Sequence, residues 1–503
     1  MRVEASIKNL KWGMIYQFIF CVLNFITRKI MVDSIGVEYV GLNSLFNGVL
    51  SVLGLAEMGV GSAIIYHLYK PVAEDNKDEI IRLMNFYKTT YRFIALAITV
   101  LGVLVLPFMH YIAKGVTVDM NYVRFAYCLY LIQTVTSYFF AYKRSLLLAN
   151  QKAYITTIAD LVFKVITLIG SMLILYFTKS FVLYVTFGIV CGISNNLFVS
   201  LKVDKMYPYI NGKLELGKEK RKSIFVNVKD IFVGQLSGRI TNTTDSILIS
   251  AMVGTVFNGL YGNYSMVINA LFQVISQISG GISGSVGNLI ATSDKKHIEE
   301  VLRRLTFIMF MIGCAISVPL MCIFNQFITL WLGEEYLLDL PTVGICVLNL
   351  FLIAVRLPLW NVLNVSGLFS KDKYISITGS AVNLVVSVIF GYKYGIIGIL
   401  AGTSCTHIIQ YILKVRLFYN KFLNMSDVIF YIKSLLYITM FIGECILGLC
   451  ICSYINFSNI YIEFFCGIMI SGVIGLVPNI VIFIKTEEFS YMLNIIKGFF
   501  SRR

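Results

Sequence analysis

The chain has 503 residues, of which 57% are hydrophobic and only 14% are charged, and its formal net charge is +15. A soluble globular protein carries about a quarter charged residues, so this composition excludes a soluble domain as the body of the protein. Apolar runs of about 20 residues, the length that spans a hydrocarbon layer of about 30 Å, recur along the whole sequence.

The apolar runs predict about fourteen transmembrane helices. Because each run is continuously apolar and does not alternate with a period of two, the pattern indicates helices rather than a transmembrane β-barrel. The first run lacks the cleavage site of a signal peptide, so we expect it to be a membrane anchor. In chain order, the predicted spans are 10–32, 40–66, 88–109, 120–142, 153–177, 180–201, 224–252, 256–290, 304–328, 341–366, 374–392, 395–415, 432–454 and 459–484.

Lysine and arginine are distributed unevenly among the loops, and this predicts the orientation of the chain. If the N-terminus is cytoplasmic, the loops on that side are basic, above all residues 202–229. The opposite loops hold few cations beyond Lys114, Lys179 and Lys393. Because cytoplasmic loops carry an excess of lysine and arginine, we expect both termini in the cytoplasm. The positive net charge then follows from topology and contact with membrane lipids, and it predicts no nucleic-acid partner.

An internal repeat relates the two halves of the sequence. Four side chains in the first span and four in the seventh share spacings of four, three and four residues. They are Gln17, Cys21, Asn24 and Arg28, and Gln235, Arg239, Asn242 and Ser246. At the same offset, Gly41 corresponds to Gly259.

The repeat predicts the architecture. Six helices per half keep both halves in the same orientation. We therefore expect an all-α membrane protein with two six-helix bundles related by a pseudo-twofold axis, and with two additional helices. The predicted segments are an N-terminal bundle at 1–203, a basic cytoplasmic linker at 204–223, a second bundle at 224–417, and the additional helices and tail at 418–503.

The repeated side chains form a polar stripe on each helix, since positions 0, 4, 7 and 11 lie within about 60° of one another. Polar groups facing hydrocarbon would be unsatisfied, so we expect the stripes to line a hydrated cavity, although Arg28 could instead reach the membrane surface. Arg356 lies inside another span, and we expect a broken helix at the nearby Pro358. The predicted substrate-binding residues are Arg28, Arg239, Arg356, Asn24, Gln235 and Asn242.

Four further ionisable residues are candidates for the cavity or for ion coupling, because each costs about 2.5–3.5 kcal/mol at a helix centre. They are Glu57, Asp160, Lys164 and Asp245. Asp160 and Lys164 are four residues apart, so a local ion pair is an equally good interpretation. Glu57 either balances Arg28 or takes part in coupling. We expect His407 and Glu444 to be packing or peripheral groups.

The cysteines predict neither a metal site nor a cofactor. Eleven are scattered through the sequence, with no CxxC pair and no cluster with histidine, so we expect them to serve packing. The sequence also lacks a GxxxxGK[ST] phosphate-binding loop. We therefore do not expect ATP hydrolysis.

Residues 41–76, GLNSLFNGVLSVLGLAEMGVGSAIIYHLYKPVAEDN, resemble the second helix and following loop of Wzx-type polysaccharide flippases. KNLKWG at 8–13 and YKTTYR at 87–92 are similar to the same family, and the resemblance covers essentially the whole chain. It implies the multidrug/oligosaccharidyl-lipid/polysaccharide (MOP) exporter superfamily, with a fold like that of MATE transporters and MurJ. It also implies a bacterial inner-membrane location.

The resemblance implies a function as well. Proteins of this kind move an undecaprenyl-pyrophosphate-linked oligosaccharide from the cytoplasmic to the outer leaflet by alternating access, for O-antigen and other surface polysaccharides. The resemblance implies one arginine on the first helix and another in the second half that hold the pyrophosphate. Arg28 matches the first, and Arg239, which lies on the repeated stripe at the position of Cys21, is a candidate for the second. Arginine suits phosphate through its bidentate fork, and asparagine and glutamine suit sugar hydroxyls. Other polysaccharide-assembly proteins are possible partners.

Two alternatives remain open at this point. A MATE-like multidrug or cation antiporter would have the same broad fold, but its cavity should be rich in acidic residues, whereas these stripes carry arginine. A membrane polysaccharide polymerase or glycosyltransferase would be an enzyme and would need a catalytic cluster. No acidic pair or metal-spaced cluster stands out, so we expect a transporter and not an enzyme.

Overall fold

The computed structural model forms two compact units, Met1–Gly262 and Asn263–Arg503. The backbone is described for residues 2–500 except 58–59, 151, 213, 223, 226–227, 229–243, 293, 367, 455–456 and 458. Side chains are described for the same residues except 2–18, 56, 62–63, 211, 280–292, 364–365, 369–371, 496 and 498–500. The bundle and linker boundaries derived from the sequence stay a prediction.

The first unit is built mainly from long α-helices. They are α1 (Arg2–Ile35), α2 (Val37–Leu53), α3 (Val60–Ala73), α4 (Lys77–Val105), α5 (Met109–Ile112), α6 (Met120–Ala149), α7 (Ala153–Thr178), α8 (Phe181–Met206) and α9 (Thr244–Val253). Side-chain caps set several starts: Asn76 accepts from the Glu79 amide before α4, and Ser180 from the Leu183 amide before α8. Within the unit α1 packs on α7, and α6 packs on α4 and α8.

In the second unit, several helices pack around one long helix, Lys295–Trp331. α10 (Thr255–Thr292) begins in the first unit and continues into the second. The remaining helices are α11 (Lys295–Trp331), α12 (Leu340–Val365), α13 (Phe369–Tyr394), α14 (Ile396–Leu417), α15 (Val428–Cys452), α16 (Ile460–Ile474), α17 (Val477–Phe483) and α18 (Glu487–Phe500). α11 contacts α12, α15, α16 and α18. Stacked aromatic rings lie in the core of this unit: the ring centroids of Phe310 and Tyr437 are 4.3 Å apart.

The outer surface of the helices is apolar. Within the described residues, nine helices are long and apolar enough to cross a membrane, and α2 and α9 are shorter apolar helices. On α4, Phe93 is 68% exposed, Leu96 59% and Val100 52%, at helical spacing. A protein in water would bury such a stripe. The chain is therefore a multi-pass, all-α membrane protein, as predicted.

The second predicted span, 40–66, is not one helix, and this part of the prediction was wrong. α2 ends at Leu53, a 3₁₀ turn covers Gly54–Glu57, and α3 starts at Val60. A Cβ at Gly54 would lie 3.5 Å from the Tyr138 hydroxyl oxygen, so the turn packs closely on α6. Mean hydropathy does not reveal the break because apolar residues flank Glu57 on both sides, whereas the nearby glycines lower the helical propensity.

Pro358 does not break its helix. α12 continues from Leu340 to Val365 with Pro358 inside it, so the expected interruption beside Arg356 was wrong. Proline removes one backbone donor and crowds the preceding turn. Membrane helices tolerate it where neighbouring groups satisfy the freed carbonyl.

Candidate substrate-binding site

Arg28 lies on α1 and presents an unused donor to the interior of the first unit. Its Nη1 atom is buried and has no hydrogen-bond partner among the described residues. The neighbouring cation, Lys29, is different: its side chain is 46% exposed and its Nζ lies 3.4 Å from the Asp33 carboxylate. A buried donor left unpaired costs about 1–3 kcal/mol, and more when it is charged. Arg28 is therefore the residue of this turn that needs a ligand.

Three other helices of the first unit bring polar side chains to Arg28. The phenol groups of Tyr130 on α6 and Tyr184 on α8 lie close enough to interact electrostatically with the guanidinium group. The Tyr130 hydroxyl donates to Asn43 Oδ1 on α2 over 2.5 Å, and Asn47 Nδ2 donates to the same oxygen over 2.9 Å. We call Arg28, Tyr130, Tyr184 and Asn43 the Arg28 site.

A glycine keeps space open beside the guanidinium group. A Cβ built at Gly262 would lie 3.8 Å from Arg28 Nη1 and 2.9 Å from Ser44 Oγ. Among the described residues, no carboxylate lies within ion-pair distance of Arg28, while hydroxyl groups surround it. A guanidinium group with free donors and nearby hydroxyl groups is suited to a phosphate or another oxyanion.

Two other members of the stripes, Asn24 and Ser246, have side chains that the structure describes, and both have partners outside the Arg28 site. Asn24 donates to the Phe20 carbonyl of its own helix over 2.5 Å. Ser246 donates to Asn258 Oδ1 over 2.8 Å, so the end of the second stripe serves packing. The predicted binding residues Gln235, Arg239 and Asn242 lie outside the described residues.

Glu57, predicted to balance Arg28 or to take part in coupling, lies in the 3₁₀ turn after α2. Its Oε1 accepts a hydrogen bond from the Tyr91 hydroxyl on α4 over 3.0 Å. The Tyr91 ring in turn stacks on Tyr138 with centroids 6.2 Å apart. The observed partner of Glu57 is thus a tyrosine that fixes the helix break against α4 and α6.

The ion pair within α7, one of the two interpretations of Asp160 and Lys164, does not form in the structure. The Asp160 carboxylate binds Arg144 of α6 through two hydrogen bonds of 2.8 and 3.0 Å, and Asn195 of α8 donates to it over 2.7 Å. Lys164 Nζ lies 5.0 Å from the centroid of the Phe20 ring instead. A bidentate guanidinium partner satisfies a carboxylate better than the flexible lysine one turn away. Asp245, the remaining candidate, is buried on α9 at 6% exposure.

Arg356 belongs to a cationic cluster in the second unit. Its Nη1 contacts His407 Nδ1 on α14, and its guanidinium carbon lies 4.9 Å from the centroid of Trp360. Lys414 Nζ lies 4.4 Å from the same ring and 2.6 Å from the Asp372 carboxylate. Two cations therefore share one indole ring, and one carboxylate offsets part of their charge. His407, expected to be a packing or peripheral group, is only 2% exposed and therefore packs in the interior of the unit.

Sequence reasoning missed Tyr130, Tyr184, Trp360 and Lys414. The chain contains 30 tyrosines, so nothing local distinguishes the two that face Arg28. Lys414 could have been identified from the sequence, because a lysine near the end of an apolar run is rare unless it has a partner. Among the described residues, no group of three or more His, Cys, Asp or Glu side chains could hold a metal ion.

One known protein is similar to the chain in sequence along almost its whole length. The chain is 20% identical, over 94% of its length and 96% of the relative, to an uncharacterised membrane protein of Methanocaldococcus jannaschii. No family model matches the sequence.

Several solved structures are similar. The lipid II flippase MurJ in an inward closed conformation gives a TM-score of 0.66 at 15% identity, over 94% of this chain and 99% of MurJ. An inward-facing multidrug resistance MATE family transporter of the MOP superfamily gives 0.60 at 16% identity, over 78% of this chain and 93% of the transporter. A MATE transporter of Vibrio cholerae gives 0.53 at 15% identity, over 84% and 99%. The fold-class prediction is confirmed: the chain has the fold shared by MurJ and the MATE transporters.

Proposed function

We propose that the protein is a flippase that moves a polyprenyl-pyrophosphate-linked oligosaccharide, with undecaprenyl as the bacterial carrier, from the cytoplasmic to the outer leaflet. It would work by alternating access and serve cell-surface polysaccharide synthesis, O-antigen being one such product. The location in this proposal is a bacterial inner membrane with both termini in the cytoplasm. The proposed reaction breaks no covalent bond, so the protein is not an enzyme.

The Arg28 site carries this proposal. A pyrophosphate offers oxyanions to the buried donor of Arg28, and the Tyr184 hydroxyl group can donate to one of its remaining oxygens. The absence of an ion-paired carboxylate around Arg28, among the described residues, leaves the positive charge available. A cationic drug would be repelled at such a site. This argues for an anionic head group over the alternative of a multidrug antiporter.

Further residues are also proposed to contact the substrate. Arg356 keeps guanidinium donors beyond the one that contacts His407, and Trp360 offers a flat apolar face of the kind that stacks on sugar rings. Gln235, Arg239 and Asn242 remain proposed contacts on the basis of the sequence repeat, and Asn24 remains one because it lies one turn before Arg28 on α1. Asp160, Lys164, Asp245 and Glu57 stay candidates for coupling.

The similarity to MurJ supports the substrate class. MurJ is described as a lipid II flippase, and its fold is shared along almost the entire length of both chains. A fold alone does not determine the cargo. The proposal therefore depends on the chemistry of the Arg28 site, and the further partners, membrane lipids and polysaccharide-assembly proteins, follow from it.

A translocation assay with Arg28→Ala tests the function. Proteoliposomes or cells that lack the native protein would be supplied with the lipid-linked oligosaccharide, and its appearance in the outer leaflet would be followed. We expect Arg28→Ala to lower the rate at least tenfold, with Arg28→Lys in between because lysine keeps the charge but loses the fork. Lys29→Ala is the matched control, since Lys29 is exposed on the same turn, and it should transport normally.

Two results would count against the proposal. Unchanged translocation by a normally expressed Arg28→Ala protein would show that Arg28 does not bind the phosphate groups of the substrate. Normal translocation in cells without the protein, together with increased sensitivity to cationic drugs, would favour the multidrug antiporter instead.

A further inference from the structure

A buried carboxyl group lies in the second unit, far along the sequence from any proposed substrate contact. Glu444 is on α15, inside an apolar membrane-spanning helix, and is only 5% exposed. Its carboxyl group faces the Cys314 thiol of α11 and the side-chain amide of Asn479 on α17. Both neighbours are fully buried, at 0% exposure. We call these three side chains the Glu444 pocket.

The carboxyl group has no cation to balance it. Among the described residues, neither Glu444 oxygen has a hydrogen bond of acceptable geometry, and no lysine, arginine or histidine forms an ion pair with it. The titratable groups that face it are the thiols of Cys314 from α11 and Cys445 from α15. α17 contributes only the neutral amide of Asn479. Nothing charged therefore offsets a negative charge at this position.

A second unsatisfied atom lies in the same pocket. Asn479 Nδ2 donates to the Gly475 carbonyl over 3.1 Å, but Asn479 Oδ1 is buried and accepts nothing among the described residues. An ionised carboxylate has only acceptors and cannot satisfy another acceptor. A neutral carboxyl group has an O–H donor, which is the group that the amide oxygen lacks.

We propose that the Glu444 pocket is a proton-binding site, and that Glu444 is protonated in this conformation of the protein. An ionised carboxylate buried without a partner is far more costly than a neutral one that can donate a hydrogen bond. With a proton on Glu444, no charge remains in the apolar interior, and its O–H can be donated to a neighbouring acceptor. This site is separate from the Arg28 site and does not depend on which substrate the protein carries.

The pocket favours a proton over a metal ion. Hard cations such as Ca²⁺ and Mg²⁺ take about six or more oxygen ligands, whereas this pocket offers one carboxyl group, one amide and a sulfur atom. The packing is also tight: a Cβ at Gly475 would lie 2.8 Å from the Cys314 carbonyl oxygen, and one at Gly448 would lie 2.7 Å from Cys322 Sγ. Such close contacts leave little room for a hydrated ion.

Infrared spectroscopy of the full-length protein in lipid bilayers tests this directly. A protonated carboxyl group has a C=O stretching band that an ionised one lacks, and the band shifts in heavy water. We expect this band at neutral pH in the wild-type protein and its loss in Glu444→Gln. Glu463→Gln is the matched control, because Glu463 is on the adjacent helix α16 but accepts a hydrogen bond from Gln326 over 2.7 Å; it should leave the band unchanged.

A band of the same intensity in wild type and Glu444→Gln would overturn the proposal, because Glu444 would then be ionised. Glutamine has the shape of the neutral acid and can donate to Asn479, so the variant should fold. If it does not, Glu444→Asp provides the test: the proposal requires the band to move in frequency, and an unmoved band would contradict it.

Discussion

Gly41 and Gly259 occupy equivalent positions of the two sequence repeats, and they lie against each other where α2 crosses the first turns of α10. A Cβ at Gly259 would lie 3.0 Å from the Gly41 amide nitrogen and 2.3 Å from the Val37 carbonyl oxygen. Asn258 also donates to the Gly41 carbonyl over 3.2 Å. Small residues let membrane helices approach closely. Both glycines belong to the first unit, and their contact holds α2 in the position from which Asn43 and Ser44 reach the Arg28 site.

Gly41→Ala should destabilise the first unit. The added Cβ would lie 2.0 Å from the Thr255 carbonyl oxygen, and a backbone atom cannot move aside as a flexible side chain would. Overpacking of this kind costs about 1–3 kcal/mol. Thermal unfolding of the purified protein in detergent would show a lower midpoint. Gly188→Ala is the control, since a Cβ there meets nothing within 4 Å. Equal midpoints for the two variants would argue against the close contact between α2 and α10 at Gly41.

A double-mutant cycle should reveal coupling between Arg144 and Asp160. The bidentate bonds of 2.8 and 3.0 Å join α6 and α7 in a partly buried position. Hydrogen bonds to charged groups contribute about 1.5–3 kcal/mol, so we expect Arg144→Ala and Asp160→Ala to be strongly non-additive in the free energy of unfolding. The same cycle with Lys164→Met and Asp160→Ala should be additive. Coupling of Asp160 to Lys164 rather than to Arg144 would instead indicate an ion pair within α7.

Asp372→Asn should destabilise the protein more than the double change Asp372→Asn with Lys414→Met. The Lys414 side chain is only 3% exposed and lies 2.6 Å from Asp372. Breaking a buried pair from one side leaves an uncompensated charge and costs about 3–5 kcal/mol, whereas replacing both partners can be nearly neutral. Chemical or thermal unfolding measures the difference. A double variant less stable than Asp372→Asn alone would contradict this, because it would show that Lys414 stabilises the protein even without the Asp372 carboxylate.

Docking of α18 should weaken in acid. Burial raises the pKa of Glu488, but the hydrogen bond from Lys433 and the charges of Lys433 and Arg303 outweigh it and hold the pKa below its usual range. A carboxyl group with a depressed folded-state pKa stabilises fully above its unfolded pKa of about 4.3. That stability is lost as the pH falls through the lower folded-state pKa.

Limited proteolysis of the C-terminal helix across this pH range measures the effect. The wild-type helix should become more accessible below about pH 4.3, and Glu488→Gln should be accessible at neutral pH with little further change. Glu334→Gln is a control in an exposed loop. A Glu488→Gln protein with the same acid response as the wild type would show that another group is responsible.

The sequence predicted the helical membrane fold because burial in lipid leaves a strong and local signal. Runs such as 153–177 and 341–366 agree closely with α7 and α12. The turn at Gly54–Glu57 was missed since the apolar residues around Glu57 keep the mean hydropathy of the run high. Pro358 was misjudged for the opposite reason: a residue that breaks helices in water is tolerated inside a membrane bundle.

The candidate site was only partly predictable. Arg28 could be identified because a cation on a polar stripe inside an apolar run is costly and therefore conspicuous. Tyr130 and Tyr184 could not, because their role depends on which helices pack beside α1. The same limit applied to Glu444, whose significance depends on the missing cation and on the unsatisfied amide of Asn479 from another helix.

The most direct test of the account is the affinity of the purified protein for a polyprenyl pyrophosphate without its sugar, compared between wild type and Arg28→Ala. Because a charged hydrogen bond contributes about 1.5–3 kcal/mol, we expect the variant to bind about tenfold to a hundredfold more weakly. Lys29→Ala should bind like the wild type. Equal affinities for wild type and a correctly folded Arg28→Ala would contradict the claim that the Arg28 site holds the pyrophosphate.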